Sequence, residues 1–102
     1  MSEEEISGHI LVSGRVQGVL FRAYTQDVAC SLSLVGWVKN LKDGKVEVYC
    51  EGKKESVEKL IDWCRKGPSS AKVSDIELKY GEPTHKFEKF EIRYCNTLAN
   101  HK

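Results

Sequence analysis

Hydrophobic residues recur along this chain at two different periods, and the order of those periods restricts the fold more than any other feature. His9 to Gly14 holds a short apolar run, Ile10, Leu11 and Val12, ended by glycine, and reads as a first strand. Phe21, Tyr24, Val28, Ala29 and Leu32 then recur at helical spacing and define one apolar stripe. Gly36 follows closely and can serve the turn into a second strand, Trp37 to Leu41. Asp43-Gly44 predicts a type I′ hairpin turn, whose two central residues both need positive φ. Beyond it Val46, Val48 and Cys50 alternate with Glu47, Tyr49 and Glu51, the pattern of a half-buried third strand. Val57, Leu60, Ile61 and Cys64 mark a second helix, which Gly67-Pro68 ends. Ile76, Leu78 and Tyr80, then Phe90, Ile92 and Tyr94, predict two closing strands.

Two apolar helix stripes need a partner, and a sheet with one apolar face is the one available. The economical arrangement is a split β-α-β pair. We therefore expect an α+β, ferredoxin-like sandwich: βαββαβ, an antiparallel sheet of four to five strands with two helices packed on one face. A chain of 102 residues suits a single domain. That domain is expected over residues 8–94, with a polar tail at 1–7 and a C-terminal extension at 95–102.

Charge limits the partners. Sixteen basic residues against 15 acidic ones leave a net charge of +1, no general field for nucleic acid or an anionic membrane. A phosphate-bearing ligand must then be held by a local arrangement. The start, Met1 to Glu5, is polar and acidic, unlike a secretory signal. No apolar run approaches the roughly 20 residues that span a bilayer, so the expected location is the cytoplasm. Cys30, Cys50, Cys64 and Cys95 include no Cys-x-x-Cys pair. They are expected as free thiols, Cys50 and Cys64 in the core and Cys30 exposed.

The loop Gly14-Arg15-Val16-Gln17-Gly18-Val19-Leu20-Phe21-Arg22 leaves a strand and enters a helix. Backbone N–H groups at a helix start lack intrahelical acceptors, and with the positive end of the helix dipole they attract anions. Gly18 lets successive N–H groups converge on one oxyanion. Arg22 stands at the wrong end of the dipole, a penalty of about 0.3–1 kcal/mol. Either it is a solvated surface arginine that tolerates this, or it shares a bound phosphate with the loop amides through its planar fork. Asn40 closes a second segment, Gly36-Trp37-Val38-Lys39-Asn40. It serves the following turn, or its carboxamide orients a water molecule.

Together these two segments resemble the acylphosphatase family closely. The Gly-x-Val-Gln-Gly-Val-x-Phe-Arg signature stands as Gly14 to Arg22, and the Gly-aromatic-Val-basic-Asn signature as Gly36 to Asn40. The resemblance spans roughly Gly8 to Tyr94. It implies that Arg22 and the backbone of Gln17, Gly18, Val19, Leu20 and Phe21 bind the substrate phosphate, while Asn40 positions the attacking water. The implied reaction is hydrolysis of a carboxylic–phosphoric anhydride to carboxylate and inorganic phosphate, by a cytoplasmic monomer that uses neither metal nor cofactor. Leu20 stands where an aromatic is frequent in the family, and Lys39 where arginine is common.

Other chemistries lack their residues. His9, His85 and His101 are scattered, near no acidic or cysteine cluster that would make a metal site. No Gly-x-Ser-x-Gly elbow occurs, and the Gly14–Arg22 loop lacks the Gly-Lys-Ser/Thr ending of a nucleotide-binding P-loop. RNA-recognition modules share this strand order, but the third strand offers only Tyr49 for stacking. A catalytically idle docking domain is the remaining alternative, and intact Arg22 and Asn40 speak against it.

Overall fold

Alternation continues beyond the apolar run of the first strand. In a computed structural model that describes residues 4–94, β1 spans Glu5–Arg15. It therefore begins inside the stretch read as tail. α1 (Phe21–Ser31), β2 (Val35–Asn40), β3 (Val46–Lys53), α2 (Lys54–Lys66), β4 (Lys72–Gly81) and β5 (Phe90–Arg93) follow. Residues 95–102, including Cys95, His101 and the expected extension, lie outside the described residues.

The sheet order is β4-β1-β3-β2-β5. β1 pairs antiparallel with β3 and β4, and β3 with β2, which gives the split β-α-β plan expected. β5, however, runs parallel to β2, with Val38 opposite Ile92. The sheet is thus mixed rather than wholly antiparallel. The long Glu82–Lys89 connection, Pro83 included, lets the chain re-enter in the same direction as its neighbour.

Register explains the layering. Ile10 lies opposite Val48 and Val12 opposite Val46, while Val38 also faces Val48; all five are fully buried. This face carries both helices, α2 over β1 and β4, α1 over β2 and β5. From α2, Val57, Leu60, Ile61 and Cys64 are buried as the spacing predicts. Each of the three aliphatic ones contributes about 1.5–3 kcal/mol relative to an exposed one. In α1 the stripe is narrower than predicted. Phe21 and Ala29 are buried and Val28 and Leu32 pack at its edge, but Tyr24 is exposed and Thr25 takes the core position. Threonine is tolerated there because its hydroxyl donates to Phe21 O at 2.8 Å. Tyr80 and Tyr94, at the strand ends, are likewise exposed.

Two turns differ from expectation. α1 ends through Ser33, in the left-handed region at φ 60°, with Ser33 N donating to Cys30 O and Leu34 N to Ala29 O. That is a Schellman closure. Gly36 lies inside β2 instead, where a Cβ would come within 2.0 Å of Tyr49 O. In the β2–β3 connection only Gly44 has positive φ; Asp43 does not. Leu41 N bonds Lys45 O and Gly44 N bonds Leu41 O. The hairpin is therefore a three-residue loop with a left-handed glycine, not type I′.

The three described cysteines are free thiols, with Cys50 and Cys64 buried and Cys30 exposed as expected. Burial pushes the Cys50 thiol up to about 12 and raises Cys64 as well, so both stay protonated.

The face away from the helices holds Trp37, Tyr49 and Phe87. Trp37 stacks on Tyr49 at 5.9 Å, and Phe87 packs on Tyr49 at 5.6 Å. His9 meets Glu47 there, Nε2 to Oε2 at 2.6 Å, so that histidine has an acidic partner that its sequence position conceals. Glu51, predicted to point outward, is only 3% exposed. Its carboxylate accepts from Tyr49 OH at 2.5 Å, from Thr84 N and Oγ1 at 2.8 Å, and from His85 N at 3.1 Å. These bonds clasp the connection that delivers β5. Burial alone would push Glu51 up, but the donated hydrogen bonds, Tyr49 first, outweigh it and hold it below the usual carboxylate value.

A group depressed in the folded state stabilises above its unfolded pKa and loses that effect as pH falls through the folded value. Glu51→Gln should therefore lower stability by about 2 kcal/mol at neutral pH, since water can rescue the exposed loop donors. The gap to the unmodified protein should close below about pH 4. Urea unfolding at pH 7 and pH 3 measures both; a gap that grows with acidity contradicts the clasp.

Candidate active site

Four residues pin the loop between β1 and α1, and the pinning decides which groups remain free. Val16 and Phe21 are buried at 1% exposure. Phe21 packs against Trp63 of α2, ring centroids 5.3 Å apart, so the first residue of α1 is fixed by the second helix. Val19 packs against the core, and its carbonyl accepts from Ser70 Oγ at 3.2 Å. Gln17 reaches across to the hairpin: Nε2 donates to Leu41 O at 2.7 Å and to Lys45 O at 2.9 Å. Gly18 and Leu20, between these anchors, stay exposed.

Both adopt positive φ, 76° at Gly18 and 63° at Leu20. For Leu20 that left-handed conformation costs roughly 1–2 kcal/mol, and leucine has no polar side-chain atom to ease it. Leu20 is also the N-cap of α1, and it makes no side-chain capping bond. Tyr24 N is the first amide to find an acceptor in the helix, Leu20 O at 3.1 Å. Helix geometry leaves the amides of Phe21, Arg22 and Ala23 without one. No acidic residue occupies the first turn to neutralise them.

Arg22 is half-buried, and β5 supports it. Its Nη1 donates to Arg93 O at 3.3 Å, and its guanidinium lies 4.8 Å from the centre of the Tyr94 ring. These contacts offset part of the unfavourable dipole position. Arg22 is thus a side chain with two contacts to the end of β5.

Asn40 is the last residue of β2, opposite Val46. Lys39 beside it points to the other face, towards Trp37 and Glu47. Asn40 therefore shares the end of the sheet with the start of α1, and the two motifs meet. A cleft of about 330 Å³ lies between them, lined by Gly18, Leu20, Phe21, Arg22, Asn40, Ile92 and Tyr94 among others. Gln17 and Val19, both expected as phosphate contacts, are not in its lining; their side chains are committed to the hairpin and the core. Sequence reasoning missed Ile92 and Tyr94 as wall residues and Arg93 as a prop. Their alternation signalled a strand, but nothing in it located that strand beside β2. Among the described residues no three His, Cys, Asp or Glu side chains gather as metal ligands would.

Known proteins resemble this chain over most of its length. The acylphosphatase family profile matches residues 8–92. An acylphosphatase of Chloroflexus aurantiacus is 51% identical over 85% of this chain and 95% of its own length. One of Geotalea uraniireducens is 49% identical over 88% and 99%. The crystal structure of acylphosphatase from Bacillus subtilis superposes with a TM-score of 0.84 at 36% identity, covering 87% of this chain and 99% of that one. Matched over nearly the whole length of those relatives, this chain belongs to the acylphosphatase family, hydrolases of the carboxyl–phosphate bond.

Proposed function

We propose that the chain hydrolyses acyl phosphates by direct attack of water on phosphorus, with neither a metal ion nor a covalent enzyme intermediate. The phosphoryl group sits at the start of α1, held by the Arg22 guanidinium and the backbone N–H groups of residues 17–22. Gln17 and Val19 contribute only through their backbone, their side chains being engaged elsewhere. Asn40 accepts a hydrogen bond from water and aims its oxygen at phosphorus.

The single observation behind this reading is that one cation, Arg22, and one carboxamide, Asn40, line the same cleft at the start of α1. One cation and one carboxamide are enough for this chemistry. A carboxylate leaves readily, so phosphoryl transfer depends on positioning and on stabilising charge over the equatorial oxygens. As the water oxygen bonds to phosphorus, the bond to the carboxylate oxygen breaks. A phosphoryl oxygen takes the water's proton, and carboxylate and inorganic phosphate depart. The enzyme works as a monomer in the cytoplasm, with no nucleic-acid or membrane partner; near-neutral charge supports the lack of those partners. Among the described residues no helix is long and apolar enough to cross a membrane.

The purified protein should hydrolyse acetyl or benzoyl phosphate in the presence of a chelator. Arg22→Ala should lose phosphate inhibition and turnover together, because one group serves both. Asn40→Ala should retain phosphate inhibition while turnover falls about 10²-fold or more, as when a preorganised polar group is removed. Equal loss of phosphate inhibition in both variants contradicts this division of roles. A further expectation concerns the link between the two motifs. Gln17→Leu should cost about 1–2 kcal/mol of stability, and its turnover should fall further than its affinity for phosphate. Unchanged turnover and urea midpoint would refute the coupling.

A further inference from the structure

The phosphoryl-binding groups account for only part of the cleft. Beyond Arg22 and Asn40 its exposed wall is largely apolar, formed by Leu20, Ile92 and the ring of Tyr94. Leu20 is 67% exposed and Tyr94 70% exposed, while Ile92 is half-buried between strand and cleft. Large apolar side chains displayed this openly around one concave site mark a place where apolar matter binds.

Leu20 carries a second signal. Its backbone is in the left-handed region at φ 63°, a conformation unfavourable for leucine. Glycine or asparagine would occupy that position with less strain, and either would remove the exposed apolar surface. Strain of this kind persists at functional sites, where the displayed group has a task.

Charge completes the argument. Among the described residues Arg22 is the only charged side chain in the lining, and on the reading above it is occupied by the phosphoryl group. Arg93, next to Tyr94 in sequence, directs its guanidinium to the other face of the sheet, 5.3 Å from the Trp37 ring and 5.9 Å from Phe87. No other cation among the described residues lines the cleft to receive a carboxylate or second phosphate on the acyl group.

From these three observations we propose that Leu20, Ile92 and Tyr94 form an acyl-group subsite, selecting acyl phosphates whose acyl portion is apolar and larger than acetyl. The proposal rests on the phosphoryl position argued above, which places the departing carboxylate and its substituent against this wall. Leu20 thereby has two functions, one through its amide and one through its side chain.

The test compares kcat/KM for hexanoyl phosphate and acetyl phosphate, whose carboxylate leaving groups have similar basicity. The native protein should favour hexanoyl phosphate by about 10-fold or more, the discrimination that a few methylenes in an apolar pocket provide. Leu20→Asn keeps a residue suited to the left-handed backbone, and Tyr94→Ala removes an exposed ring. Each should lower that ratio by roughly fivefold or more, through a KM that rises further for hexanoyl than for acetyl phosphate, over and above any loss that both substrates share because the Tyr94 ring also supports Arg22. Equal kcat/KM for the two substrates, or an unchanged ratio in both variants, overturns the subsite while leaving the reaction intact. Absence of hydrolysis with either substrate overturns the reaction itself, and the subsite with it.

Discussion

The first turn of α1 presents backbone donors that helix geometry leaves without partners, and the rest of the molecule holds that turn in place. Leu20 gives it no side-chain cap, and its first turn contains no acidic residue. The burial of Phe21 against Trp63 fixes the helix start from below. Val16 anchors the approach from β1. What results is a short run of amides with one arginine beside them, the kind of arrangement that attracts anions.

The sheet supplies the second half of the site. β2 ends at Asn40, and β5 runs beside it in parallel so that Arg93 and Tyr94 emerge next to Arg22. Gln17 joins the two halves, since its carboxamide bonds both ends of the hairpin loop that follows Asn40. The Glu51 clasp acts further back. By taking the amides of Thr84 and His85, it directs the connection that becomes β5. A carboxylate far from the cleft thus helps to set where Arg22 is held.

Much of this was legible in the residues. Period-2 and period-3.6 runs located every element, and the burial of Val57, Leu60, Ile61 and Cys64 followed from spacing alone. The two motifs identified the pair Arg22 and Asn40, which do share one cleft. What was not legible depended on long-range pairing. β5 looked like any alternating strand, and its parallel registration against β2 comes from a connection whose anchor, Glu51, reads as an outward-facing acid. Likewise Gln17 carries no local sign that its amide spans a hairpin. Turn types failed for a different reason. Ser33 entered the left-handed region although Gly36 was near, because the helix-closing bonds to Ala29 and Cys30 fix where the turn falls. At Tyr24 the helical spacing was right, yet Thr25 faces the core because its hydroxyl is satisfied within the helix.

The account stands on phosphate being gripped at the α1 start, and amide chemical shifts during titration with inorganic phosphate observe that grip directly. The account predicts saturable shifts concentrated at Gln17–Ala23 and the Arg22 side chain, with smaller ones at Asn40. Shifts centred on the start of α2 or on the Trp37 face, with the α1 start unmoved, would contradict it.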